Sequence, residues 1–151
     1  MNIESIYFDT SIPSAYYDTR EPKRQQDTIL FWNTRISHFK SFVSDITIEE
    51  IKNTSDSIVM NKMMKLIEPF SVLKMTSSVT SLAKAYIQQR VLLERDIYDA
   101  YHAAFASAYQ MTYLVSWNFN HLVKAKTRQL LNYVNAIEGY KSIEIICPLE
   151  I

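Results

Sequence analysis

Ile3-Glu4-Ser5-Ile6-Tyr7-Phe8-Asp9-Thr10-Ser11-Ile12-Pro13 is the stretch whose reading decides the fold. Residues 3–8 form a short apolar-leaning run that stops at Asp9, the pattern of a β-strand. Thr10 and Ser11 carry hydroxyls able to cap a helix, and Pro13 suits a first helical turn. A strand that runs directly into a helix is half of a β-α-β unit, and the rest of the chain repeats the alternation.

Residues 18–27 are charged and contain Pro22, so they are expected as a loop. Residues 27–37 suit an amphipathic helix begun by Asp27 or Thr28. Phe39 to Ile46 is rich in β-formers and reads as the second strand. Thr47 precedes Glu50 by three, a capping-box pattern for a short helix over 48–53. Residues 56–67 place Ile58, Val59, Met63, Leu66 and Ile67 on one helical face, ended by Glu68-Pro69. Phe70 to Met75 is a third strand. Helices over 78–90 and 94–109 follow, then a compact apolar strand, Tyr113 to Trp117. Residues 121–136 form a basic amphipathic helix with Gly139 as its C-terminal cap. Ser142 to Cys147 is a last strand, stopped by Pro148. Such alternation predicts an α/β fold: a mostly parallel sheet with helices on both faces, in a single domain spanning 1–151.

Composition narrows the chemistry. The 151 residues suffice to bury a core, and 48% apolar with 21% charged residues is an ordinary globular mix. Lys plus Arg balances Asp plus Glu at 16 each, so any nucleic-acid binding must use a local patch. The lone cysteine, Cys147, permits neither an internal disulfide nor a cysteine zinc site, which suits a reducing, cytoplasmic setting. No apolar run reaches membrane-spanning length, and Met1 to Ser5 lacks the pattern of a leader. One glycine, Gly139, excludes phosphate-cradling and dinucleotide-binding glycine loops.

In open α/β sheets, ligands bind outside the carboxyl ends of the strands. Asp9 ends the first strand, Glu50 lies in the helix after the second, and Asn118 follows the fourth. Asp99 sits near the start of the Ala-rich helix that leads into it. Carboxylates gathered from distant segments repel one another unless a cation relieves them, and hard ions such as Mg²⁺ or Mn²⁺ prefer oxygen ligands. Other readings stand beside this one. Asp9 fits a helix cap, and Glu50 fits the capping-box partner of Thr47. Glu49 competes with Glu50. Asp96 competes with Asp99 and reads as a first-turn helix residue. His102 and His121 read as packed or hydrogen-bonded side chains. Tyr16 and Tyr17 read as structural, with stacking on bases as their functional alternative. Two basic groups, Arg20-Lys23-Arg24 and Lys124-Lys126-Arg128, are either solvated faces or a phosphate-binding rim.

Four segments, in order, resemble the PIN domains: Ile6-Tyr7-Phe8-Asp9-Thr10-Ser11, Ser44-Asp45-Ile46-Thr47-Ile48-Glu49-Glu50-Ile51, Asp99-Ala100-Tyr101-His102-Ala103-Ala104, and Tyr113 through Leu122. The resemblance covers nearly the whole chain. It implies a three-layer α/β/α PIN-like (Rossmann-like) fold with a central, mostly parallel sheet of about five strands. It also implies a Mg²⁺- or Mn²⁺-dependent endoribonuclease, the VapC-like toxin of a type II toxin–antitoxin pair. An RNA substrate, a cognate antitoxin and a homodimer are the partners it implies. Carried over, the acidic ligands are Asp9, Glu50 and Asp99, with Thr10 and Ser11 supporting them and Lys124, Lys126 and Arg128 binding RNA. The fourth position, often Asp in the family, is Asn118, which brings an amide oxygen but no charge. That departure is the basis of the alternative reading, a catalytically weak or inactive module that binds nucleic acid or protein. A phosphatase-like hydrolase would instead require a deep enclosed pocket.

Overall fold

The computed structural model describes residues 3–151. Met1 and Asn2, part of the stretch read as lacking a leader, lie outside the described residues. Ile6, Tyr7 and Phe8 are three consecutive, fully buried side chains. Successive strand residues face opposite sides, so such a run requires cover on both faces. Their strand, β1 (Ser5–Phe8), accordingly lies in the middle of a five-stranded sheet with β2 (Lys40–Ser44), β3 (Ser71–Leu73), β4 (Tyr113–Val115) and β5 (Glu144–Ile146). The order is β3-β2-β1-β4-β5 and every pairing is parallel.

From β1 the chain moves outward to β2 and β3, then crosses back and continues through β4 to β5. The direction of winding reverses between β1 and β4, where Phe8 pairs with Val115 and the Asp9 N–H donates to the Val115 carbonyl. Such a reversal opens a crevice at the carboxyl ends of the two strands. On one face lie α1 (Ser11–Tyr17), α2 (Pro22–Thr34) and α4 (Ser57–Ile67), and Phe8 meets the rings of Phe31, Trp32 and Phe70 there. Opposite them lie α5 (Ser77–Gln88), α6 (Ile97–Ala108) and α7 (Ala125–Ile137), where Tyr7 stacks on Phe105. The short α3 (Asp45–Lys52) follows β2 directly. A buried cluster of Tyr86, Ser107 and Asn135 ties α5, α6 and α7 together; the Tyr86 hydroxyl donates to Asn135 Oδ1 at 2.5 Å, and the Asn135 amide donates to Ser107 Oγ at 2.9 Å. Among the described residues no helix is long and apolar enough to cross a membrane.

The fold class and all five strands follow the sequence reading; several boundaries differ for local reasons. Residues 18–27 are not all loop, because α2 begins at Pro22 rather than at Asp27 or Thr28. Proline lacks an N–H that a first-turn residue would leave unpaired anyway, so Pro22 starts the helix. The second strand stops at Ser44, and α3 begins at Asp45. Its capping box joins Ser44 to Thr47, not Thr47 to Glu50, which frees the Glu50 carboxylate from a capping role. The basic helix begins at Ala125 rather than at residue 121, with Lys124 at its N-cap. A single turn of tighter helix over Glu94–Asp96 precedes α6. As expected, Gly139 follows α7 in the left-handed region, at φ 86°. Arg90 and Gln110 take the same conformation after α5 and α6, at φ 60° and 58°.

Candidate functional site

Asp9, immediately after β1, is 2% exposed and lies at the point where the sheet reverses. Two serines aim their protons at it. Ser11 Oγ accepts the Trp117 backbone N–H at 2.8 Å and donates to Asp9 Oδ1 at 2.5 Å. Ser116 Oγ accepts the Asn118 N–H at 2.9 Å and donates to Asp9 Oδ2 at 2.5 Å. Each backbone amide occupies the acceptor side of its hydroxyl, so each O–H has one direction left. Burial pushes the Asp9 carboxyl above its ordinary range, against the lowering influence of His102 and of the two serines.

Asp99, in the first turn of α6, lies across the crevice. Asn118 Nδ2 donates to Asp99 Oδ2 at 3.2 Å, while Asn118 Oδ1 accepts the His121 N–H at 3.0 Å. The Asn118 amide thus holds Asp99, and its oxygen is occupied by backbone. An aspartate there would repel Asp99 instead. Burial, and then the charge of Asp9, push the Asp99 carboxyl up to about 6. A carboxylate whose proton affinity is raised by the charge of a neighbouring carboxylate is the electrostatic condition a cation relieves.

Glu50 approaches from α3. Thr10 donates to Glu50 Oε1 at 2.6 Å, and His102 Nε2 lies 2.5 Å from the same oxygen, leaving Oε2 free of both. His102, 2% exposed on α6, continues inward through Nδ1 to the Tyr7 hydroxyl at 2.6 Å, which lies 2.7 Å from Ser44 Oγ. Burial alone would push the His102 imidazolium down, but the hydrogen bond and charge of Glu50, with Asp9 and Asp99, outweigh it and hold it above its usual value. Burial likewise pushes Glu50 up, but His102 and Thr10 overcome it and the carboxyl ends below its ordinary range. The two shifts run in opposite directions, each partner favouring the charged form of the other. Glu49, the competing acid, is exposed and accepts from the Tyr98 hydroxyl at 3.1 Å.

Among the described residues, one group of three offers ligand atoms within 4.8 Å of one another: Asp96, Asp99 and His121. Asp96, at the N-cap of α6, thus stands beside Asp99. His121 Nδ1 lies 3.5 Å from Asp96 Oδ2. Asp9, Asp99 and Glu50 are not brought within that distance as a group, although the charge of Asp9 acts on Asp99 and that of Glu50 on Asp9. Their donors are all carboxylate oxygens, the chemistry of a hard divalent ion.

The basic residues divide. Lys124 and Lys126, with Arg90 and Arg95, line a cavity of about 290 Å³ beside Asp96 and His121. None of these four makes an ion pair among the described residues. Arg128 turns away, toward Glu150 at 3.5 Å. Of the first group, Arg20 pairs with Asp18 and Lys23 with Asp27. Arg24 lies over the Trp117 ring. Tyr16 and Tyr17 pack edge to face on each other, and Tyr16 also meets Trp32.

Sequence reasoning missed Ser116 and the tie of His102 to Glu50. The signals available were weak: a serine before Trp117-Asn118, and a histidine one helical turn after Asp99.

No family model and no curated protein matches the chain. Among solved structures it is similar to a chain of VapBC2 from Rickettsia felis, determined bound to a DNA fragment from their promoter. The TM-score is 0.55 and the identity 12%, over 94% of this chain and 98% of that one. At that identity the likeness is one of fold, and the fold is PIN-like: an α/β architecture around an all-parallel, five-stranded sheet.

Proposed function

We propose that this chain is a metal-dependent endoribonuclease that hydrolyses RNA phosphodiester bonds, acting in the cytoplasm as the toxin of a type II toxin–antitoxin pair. The observation that carries the reading is the pairing of Asp9 and Asp99 across the crevice between β1 and β4, each held by its own polar scaffold and each raised in proton affinity. The fold it shares with a VapBC2 chain supports the toxin role and a cognate antitoxin as partner.

In this reading a divalent ion, Mg²⁺ or Mn²⁺, supplies Lewis acidity and charge neutralisation at the scissile phosphate. Asp9 and Asp99 would hold it, their carboxylates positioned by Ser11, Ser116 and Asn118. Glu50, clamped through Oε1 by Thr10 and His102, would use Oε2 to orient a water. Its depressed pKa suits orientation better than proton removal. Lys124 and Lys126 receive the flanking phosphates. One specific observation favours the weaker alternative, a binding module with little catalysis: the His102 ion pair competes with a metal for Glu50.

Incubating purified protein with structured RNAs in Mg²⁺, Mn²⁺ or EDTA tests the proposal. Cleavage that requires metal supports it. Intact RNA with both metals, from folded protein, leaves the binding module.

A further inference from the structure

Next to the paired carboxylates, on the side of α1, lies an open cavity of about 500 Å³, within the ~300–1,000 Å³ of small-ligand sites. Ser11 and Asn118, the residues that hold Asp9 and Asp99, form the end of it that meets the crevice. Its other walls include Asp18, whose carboxylate is paired with Arg20, and an aromatic and cationic group. Phe119 is 44% exposed, and its ring meets Trp117 edge to face at 6.0 Å. Trp117 itself is fixed from behind, its indole N–H donating to the buried Thr28 hydroxyl at 2.8 Å. The Arg24 guanidinium lies 5.4 Å from the centre of the Trp117 ring and makes no ion pair among the described residues. Asn120 adds an amide at the rim, where this cavity adjoins the one lined by Lys124 and Lys126.

Phe119 packs one edge on Trp117 and leaves 44% of its surface exposed at a polar cavity, aromatic area that the fold itself does not cover. A planar aromatic surface beside an unpaired guanidinium and an amide is complementary to a nucleobase joined to a phosphate. We propose that this cavity binds the unpaired nucleotide next to the scissile phosphate: the base lies against Phe119, Arg24 meets its phosphate, and Asn120 meets an edge of the base. The inference rests on the nuclease reading for the position of the scissile phosphate. A base held in a duplex cannot enter, so the nucleotide placed here is one free to leave its stack. The strand would pass from this cavity, across the carboxylates, to the Lys124–Lys126 side.

Phe119 lies outside the buried core, and a thermal melt of each variant checks that the fold is retained. The test measures anisotropy of a short, unstructured, fluorescently labelled RNA in EDTA, with wild type, Phe119→Ala, Phe119→Trp and Arg24→Ala. The same RNA is then exposed to wild type with Mg²⁺, Mn²⁺ or EDTA. Phe119→Ala should weaken binding about tenfold, the worth of one stacked base, and Phe119→Trp should restore it. Arg24→Ala should flatten the salt dependence by about one phosphate contact. Binding unchanged in Phe119→Ala, alongside metal-dependent cleavage by wild type, overturns the cavity and leaves the nuclease reading standing. Binding lost in Phe119→Ala without any cleavage by wild type keeps the cavity as an RNA site and overturns the nuclease reading. No binding by wild type overturns both.

Discussion

Replacing Asp99 by Asn should make the metal-free protein more stable while abolishing any metal-dependent activity. Burial and the charge of Asp9 raise this carboxyl from 3.8 to about 6. A raised native pKa means that, as pH climbs, the unfolded chain releases this proton before the native state does. The native state is then progressively penalised through the window between 3.8 and about 6, and carries the whole penalty above it. At about 1.4 kcal/mol per pH unit, the penalty near neutrality is about 3 kcal/mol at most. The Asp99→Asn side chain would retain an acceptor for the Asn118 amide, so the variant sheds the charge without stranding its partner. A gain of about 1–3 kcal/mol is expected near pH 7, or roughly 3–8 °C in Tm for a chain of this size. Near pH 3 the gain should largely vanish, since both states of the wild type are then mostly protonated at this site. Thermal unfolding in EDTA at the two pH values provides the assay. Mg²⁺ or Mn²⁺ should raise the Tm of wild type and leave that of Asp99→Asn unmoved. An Asp99→Asn protein no more stable than wild type near neutrality, or a gain that persists in acid, would refute the reasoning.

Three other outcomes follow from the same geometry. His102→Leu strands the part-buried Glu50 carboxylate and should cost about 2–4 kcal/mol in urea unfolding, whereas a purely packing role would make Leu nearly neutral. Asn118→Asp adds a carboxylate against Asp99 and removes its donor; it should lower Tm in EDTA and enlarge the rise on adding Mn²⁺, and an unchanged metal-free Tm would contradict the holding role. Lys124→Ala with Lys126→Ala should weaken RNA binding at low salt and flatten its salt dependence by roughly two phosphate contacts, and an unaltered slope would remove both from the binding rim.

What the sequence made legible tracks the range of the interactions involved. The run Ile6-Tyr7-Phe8 announces a strand buried on both faces, because that requirement is written in three adjacent residues. The alternation of strands and helices then limits the topology, since parallel strands need crossovers. Local chemistry with two solutions was harder to resolve. Pro22 reads equally as loop punctuation and as a helix start, and Ser44 and Thr47 are both good caps, of which the helix uses Ser44. Roles that depend on distant segments meeting were hidden. His102 reads as a packed helix residue until α6 is laid beside α3, which brings its ring to Glu50 from 52 positions away. Asn118 reads as a missing carboxylate until its amide is seen to hold Asp99. Arg128 reads as part of a basic rim because only the fold shows Glu150 next to it.

The account turns on whether Asp9 serves a cation at an RNA phosphate, and single-turnover cleavage by wild type and Asp9→Asn, each in Mg²⁺, Mn²⁺ and EDTA, measures that most directly. The Asp9→Asn substitution keeps the shape of the side chain but removes its charge and sets an amide against one of the two serine hydroxyls. The prediction is metal-dependent cleavage by wild type and none by a folded Asp9→Asn protein. Equal cleavage by the two proteins, or cleavage by wild type that EDTA does not stop, would contradict it.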